Sequence, residues 1–145
     1  MIALLQRVRS ASVDVNGDCV ARIDQGLLVY VALQPDDNED ILTRMSERVL
    51  AYRMFADDAH RMNRSVEQAR GEVLLVPQFT LAADTRKGLR ANFSQAAPPA
   101  RAAVLFDDFA DKMKSRYAKV QTGVFGACMQ VHSVNDGPVT FWLQL

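Results

Sequence analysis

Two short stretches of this 145-residue chain hold residues able to do chemistry with their backbone rather than their side chains. Pro77-Gln78-Phe79-Thr80 follows the apolar run Val73 to Val76, and Asn135-Asp136-Gly137-Pro138 precedes the alternating run Val139 to Leu145. Proline fixes φ and lowers the cost of a cis peptide, while glycine adopts angles closed to other residues, so Gly137-Pro138 can aim two carbonyls unusually. The same tetrapeptide also reads as a hairpin turn between two strands, Met129 to Val134 and Val139 to Leu145. Backbone N–H groups near Gln78 and Phe79 can serve as oxyanion donors, worth about 2.7–4 kcal/mol each. That chemistry is ester hydrolysis, and it also needs a nucleophile.

Patterned side-chain nucleophiles are missing. There is no GxSxG elbow, and His60 and His132 have no motif neighbour that would make either a triad member. Thr80 is the one hydroxyl inside a motif, and no base at a neighbouring position activates it. Gly123-Val124-Phe125-Gly126 matches no dinucleotide fingerprint and GxxxxGK[ST] is absent, so no nucleotide cofactor is expected. Asp107-Asp108 lies on the solvated side of a helix. Cys19 and Cys128 are far apart and in no CxxC spacing, which indicates neither a metal site nor a disulfide framework; both are expected to be small buried hydrophobes in a reducing cytoplasm. Arg86, Lys87 and Arg90 put three cations within five residues of a polar loop, suited to phosphates or simply to water.

The elements that must position these residues are legible. Ala11, Val13 and Val15 alternate with polar residues up to Asn16-Gly17, a two-residue hairpin turn. Cys19 to Ile23 follows, Asp24-Gln25-Gly26 is expected to turn the chain again, and Leu27 to Leu33 is a central strand, giving an antiparallel meander. Ile41, Leu42, Met45, Val49 and Tyr52 predict a helix to about Arg53, capped by Asn38. Ala102, Leu105, Phe109, Met113 and Tyr117 predict a second helix, started near Pro98-Pro99. Between the helices, Pro77 interrupts Val73 to Val76 and Gln78 to Leu81 resumes an extended reading, which places the segment at a sheet edge or bulge.

Composition sets bounds on function. With 49% hydrophobic residues and no linker or repeat, residues 1–145 form one domain with a real core. Seventeen basic and seventeen acidic side chains cancel, which argues against a protein held to nucleic acid by a broad phosphate-binding surface. Gln6, Arg7 and Arg9 break up the apolar N-terminus, unlike a signal peptide, and no segment is long enough to span a bilayer.

On these residues the chain resembles the D-aminoacyl-tRNA deacylases of the bacterial and eukaryotic type. "PQFTLAAD" (77–84) is similar to the family's Ser-Gln-Phe-Thr motif, with Pro77 in place of serine, and "NDGPVT" (135–140) matches its Asn-x-Gly-Pro motif. The likeness runs end to end, through "LLQRVRSASV", "NGD", "GLLVYVAL" and "TGVFGACMQVHSVNDGPVTFWLQL". It implies an α+β fold of compact, β-barrel-like sheets with two main helices, and a homodimer with active sites at the subunit interface. It further implies a cis Gly137-Pro138 peptide whose carbonyls filter substrate chirality in the partner's site. Gln78, Phe79 and Thr80 would form the catalytic segment, with Asn135, Val139, Thr140 and Met129 in support. Arg7, Arg86, Lys87 and Arg90 would meet tRNA phosphates. The implied reaction is ester hydrolysis of D-aminoacyl-tRNA, and of glycyl-tRNA, in the cytoplasm, with no cofactor, metal, DNA or membrane partner. Two other readings are a tRNA-binding dimer without hydrolysis and the sister deacylase with a trans Gly-Pro, acting on L-aminoacyl-tRNA.

Overall fold

The computed structural model describes residues 1–145. Strand β1 (Ile2–Val15) turns through Asn16 and Gly17, both at positive φ, into β2 (Asp18–Ile23), followed by β3 (Gly26–Ala32). Two positive φ values in a row are what a two-residue hairpin needs to match strand twist. The expected meander is not formed. β2 pairs with Ala11 to Val15 and β3 with Ile2 to Val8, so together they make one long return strand along β1. Asp24 and Gln25 stand opposite Arg9 and Ser10 as an interruption, not a reversal, because a 14-residue β1 offers enough edge for both segments.

Helix α1 (Glu39–Ala51) begins at Asn38, whose side chain accepts from the Ile41 N–H at 3.2 Å. It leads through the small hairpin of β4 (Phe55–Ala56) and β5 (Met62–Arg64) to β6 (Glu72–Pro77), which pairs parallel to β3. Helix α2 (Pro99–Arg116) then returns the chain to β7 (Val120–Thr122), parallel to β6. β6 is therefore interior to the sheet, not an edge. Pro77 is tolerated because it is the strand's last residue, and the next ladder donor is the Gln78 N–H, which reaches the Val31 carbonyl at 2.7 Å. Beyond it Phe79–Ala82 closes into one 3₁₀ turn rather than an extended segment.

β3 and β6 are buried on both faces, as parallel strands under helices should be. Leu27, Val29, Val73 and Leu75 face the helices with Leu42, Met45, Val49, Phe106 and Phe109, while Leu28, Leu74 and Val76 join Val8, Val13 and Ile23 inside the curl of the sheet. The curl is nearly closed: the Gln121 side chain on β7 exchanges two hydrogen bonds with the Arg22 backbone on β2. The last strand, β8 (Met129–Gln144), runs along the whole of β1 and pairs with nothing else. Both cysteines are exposed, contrary to expectation, since Cys19 sits on the outward face of β2 and Cys128 just before β8. The N-terminal amine is buried against Asp37 Oδ1 at 2.6 Å and also donates to Gln34 Oε1 and the Leu145 carbonyl. No helix is long and apolar enough to cross a membrane.

Candidate active site

The Gly137-Pro138 segment is not a hairpin turn. Gln6 pairs with Thr140 and Val8 with Asn135, so residues 136–139 bulge from a continuous strand opposite the single residue Arg7. The Gly137-Pro138 peptide is cis, and Gly137 has φ +128. The base of the bulge is closed by its own flanks: Asn135 Oδ1 accepts from the Val139 N–H at 3.3 Å, and Asn135 Nδ2 donates to Thr140 Oγ1 at 3.3 Å. Arg7 holds the other side. Its Nε donates to the Asp136 carbonyl at 3.1 Å and its Nη1 to the Met54 carbonyl at 2.8 Å, while Asp136 lies between Arg7 and Arg9 as a shared counter-ion. The Arg7 side chain is only 15% exposed, so its guanidinium is turned to the bulge and not to solvent.

The second motif lies at the C-terminal end of β6, where ligands of parallel sheets gather. A cavity of about 410 Å³ opens there, lined by Val76, Pro77, Gln78 and Phe79 from the strand end and by Ala97, Pro99 and Ala102 from the approach to α2. Phe125, Gly126, Ala127, Met129 and Val131 complete it, and eight of the twelve lining residues are hydrophobic, enough to hold an apolar group. Phe79 is 55% exposed and its ring tilts onto Phe93 with centroids 5.0 Å apart. The N–H groups of Phe79 and Thr80 precede the first bond of the 3₁₀ turn and have no acceptor within it. Gln78 Nε2 donates to Thr80 Oγ1 at 2.5 Å, and neither His60 nor His132 lines the cavity. His132 instead lies 3.2 Å from Asp14, across the β1–β8 pair.

Of the expected site residues, Gln78, Phe79 and Met129 line the cavity, whereas Thr80, Asn135, Gly137, Pro138, Val139 and Thr140 do not; Thr80 is tied to the lining through its hydrogen bond from Gln78. Pro77 and the bulge are three strands apart and four residues offset along β1, on the order of 15–20 Å across the sheet. One chain thus separates its two motifs. The loop after the 3₁₀ turn is pinched by mutual backbone hydrogen bonds between Asp84 and Asn92. Within it Arg86 folds back on Asp84, with Nε and Nη2 at 2.9 and 2.6 Å from the carboxylate. That guanidinium, followed by the Arg86 N–H, lowers the Asp84 carboxyl to about 2. Lys87 and Arg90 form no ion pair, leaving them as the open cations of this loop.

A pH prediction follows from the Asp84 shift. A carboxyl lowered in the folded state contributes stability above its ordinary value near 3.8 and loses it as pH falls through about 2. The Asp84–Arg86 pair is expected to persist to about pH 2, read as the midpoint of the Asp84 carboxyl carbon shift. In Arg86→Gln the midpoint should return toward the ordinary carboxylate range, about 3.9. An unchanged midpoint would show that Arg86 is not the cause.

Comparison with known proteins places these features in a family. Residues 4–144 match the family described as D-Tyr-tRNA(Tyr) deacylase. The D-aminoacyl-tRNA deacylase of Cellvibrio japonicus is 53% identical over 145 residues, covering 100% of this chain and 99% of that protein. The enzyme of the same name from Pseudomonas putida KT2440 is 54% identical over 145 residues, with both chains fully covered. Among solved structures, the c-Myc DNA Unwinding Element Binding Protein superposes with a TM-score of 0.96 at 35% identity, covering 100% of this chain and 99% of that one. A probable eukaryotic D-amino acid tRNA deacylase shares the fold with a TM-score of 0.88 at 20% identity, covering 98% and 97%. Full-length identity above one half, with the barrel-like α+β fold in common, leaves one conclusion: the chain belongs to the D-Tyr-tRNA(Tyr) deacylase family.

Proposed function

We propose that this protein is a D-aminoacyl-tRNA deacylase in which the Gly137-Pro138 bulge of one subunit completes the Gln78-Phe79-Thr80 cavity of a second copy. The observation that carries the reading is the separation of the two motifs within one chain, combined with membership of a deacylase family. In a homodimer, bulge and cavity meet across the interface. The Gly137 and Pro138 carbonyls accept hydrogen bonds from the α-amino group of the esterified amino acid. That fixes its orientation so that an L side chain runs into backbone and a D side chain points outward, which is selection by exclusion. Glycine has no side chain to exclude, so glycyl-tRNA, including tRNA(Ala) mischarged with glycine, is a second substrate.

The reaction adds water across the ester that joins the amino acid to the terminal adenosine, releasing D-amino acid and restoring the ribose hydroxyl. The N–H groups of Phe79 and Thr80 face the charge that develops on the carbonyl oxygen, where each such donor is worth about 2.7–4 kcal/mol. A ribose hydroxyl of the substrate orients the attacking water, while Gln78 and Thr80 shape the pocket around it. Lys87 and Arg90 meet backbone phosphates, positioning contacts without sequence information. Cytoplasmic action on charged tRNA follows from this substrate.

Thr80→Val tests the division of labour. With the tRNA hydroxyl assisting water, the variant is expected to keep activity within about tenfold of the parent, the cost of perturbed positioning rather than of a lost nucleophile. Complete loss with an intact fold would make threonine the nucleophile. The activity itself is tested by deacylation time courses on matched D- and L-tyrosyl-tRNA with chelator present and an enzyme-free control. Release from the D-ester alone is expected. Release from neither would reduce the protein to a tRNA binder, and equal release from both would remove the filter.

A further inference from the structure

Beyond the cavity and the bulge, one surface depression combines free cations with partly exposed aromatic rings. It is formed by Arg48, Ala51, Tyr52 and Arg53 at the end of α1 and by Phe141 on β8, with a volume of about 450 Å³. Tyr52 and Phe141 tilt against each other with ring centroids 5.1 Å apart, and both, though half-buried, line the depression. Neither Arg48 nor Arg53 joins an ion pair, whereas their neighbours on the helix are committed: Arg44 to Asp40 at 3.6 Å and Glu47 to Arg116 at 3.0 Å. One cation in the last turn suits the helix dipole, and Arg48 supplies it. Arg53, beyond the cap, and the Tyr52–Phe141 pair are not required by that effect.

The position of the depression gives it meaning. Arg53 precedes Met54, whose carbonyl holds Arg7 against the bulge, and Phe141 follows Val139 at the bulge's far end by two residues. Patch and bulge thus share β8, and the segment after α1 that supplies Tyr52 and Arg53 to the patch also supplies the Met54 carbonyl that braces Arg7. In a chain of net charge zero, phosphate contacts must come from local groups like these rather than from a general field. Open guanidinium groups beside an aromatic face are the combination that holds single-stranded nucleic acid, by charge on the backbone and stacking on a base.

We propose that this depression binds the unpaired 3′ nucleotides of the tRNA next to the ester, on the subunit whose Gly137-Pro138 bulge enters the reacting site. The inference rests on the proposed deacylase reading and adds a surface to it: both subunits would grip one substrate, one through the loop with Lys87 and Arg90, the other through Arg48, Arg53 and Tyr52.

The test is equilibrium binding of uncharged tRNA, and of a short single-stranded RNA ending in CCA, followed by fluorescence anisotropy across a salt series. Arg48→Gln/Arg53→Gln, a double change at exposed positions, is expected to weaken binding of both probes about tenfold at physiological salt. It should make the slope of log K against log salt shallower by about 1.4, two contacts at roughly 0.7 each for a single strand. Tyr52→Leu keeps an apolar side chain, and should weaken binding by a similar factor while leaving that slope unchanged. In deacylation, the double variant should raise KM for D-tyrosyl-tRNA without lowering kcat, and leave hydrolysis of D-tyrosyl-adenosine as in the parent. Superimposable salt curves for parent and double variant would overturn the inference while leaving the deacylase reading intact. Equal losses on tRNA and on D-tyrosyl-adenosine would also overturn it, since the arginines would then act at the reacting centre. A parent protein that binds neither probe and releases no amino acid would overturn both readings.

Discussion

Gly137→Ala is expected to lower deacylation of D-tyrosyl-tRNA at least about 100-fold while leaving a folded protein. A Cβ built on Gly137 meets Val139 Cγ2 at 2.8 Å and Arg7 Nη2 at 3.0 Å, and the backbone stands at φ +128, a region L side chains rarely adopt. Forcing a side chain there costs on the order of 1–3 kcal/mol, which a domain of ordinary stability survives. The thermal midpoint should fall by roughly 2–12 °C for a chain of this size. Activity should suffer more than stability. The added methyl must push on Arg7, the residue that fixes the Asp136 carbonyl, or on Val139, which is tied to Asn135, so the two proposed filter carbonyls move together. A displacement near 1 Å in a positioning group costs about 100-fold. Parallel assays of kcat/KM and thermal unfolding separate the outcomes. Full activity at a lowered midpoint would show that the bulge does not touch the substrate.

The second large effect concerns stability alone. Asp37→Asn removes the counter-charge from an N-terminal amine that is fully buried, with Asp37 itself only 2% exposed. The amine keeps Gln34 Oε1 and the Leu145 carbonyl as acceptors, but neither neutralises its charge. Breaking a buried pair by removing one partner costs about 3–5 kcal/mol, because an uncompensated charge stays behind. The carboxylate also accepts from the Gln34 N–H at 2.7 Å, and the Asp37 carbonyl accepts from Arg101 Nη2 at 3.0 Å, so the loop before α1 is loosened as well. The midpoint should drop by roughly 6–20 °C. A drop under 2 °C would place the amine in contact with water.

Much of this was readable from residue order, because some signals are local. Asn16-Gly17 specified its hairpin, Asn38 capped α1, and Pro98-Pro99 began α2 within one residue of its first turn. Both motifs were visible as breaks in apolar runs. What stayed hidden depends on partners far along the chain. Nothing near Asp24 says whether β3 pairs with β2 or continues along β1; the length of β1 decides it. Val73 to Val76 reads the same at an edge or in the middle, and only the return of α2 to lay down β7 makes it central. Asp37 resembles any acidic loop residue until the amine 36 positions away arrives beside it. Arg7 reads as a free cation in a basic N-terminus, and turns inward because the bulge offers it the Asp136 carbonyl and carboxylate. The exposure of Cys19 is hidden for a similar reason, since alternation identifies two faces of a strand without saying which one is covered, while Cys128 precedes β8 and lies on no strand.

β8 pairs on one side only, and a long, straight strand with an open edge is a template on which other chains can stack into fibres. Stacking along the full length of such an edge needs an unbroken register. The bulge at residues 136–139 divides this edge into Met129–Asn135 and Thr140–Gln144, separated by a proline that cannot donate and by a step in register that an incoming strand cannot follow. The bulge therefore shortens the continuous edge open to strand addition from the 16 residues of β8 to seven on one side and five on the other.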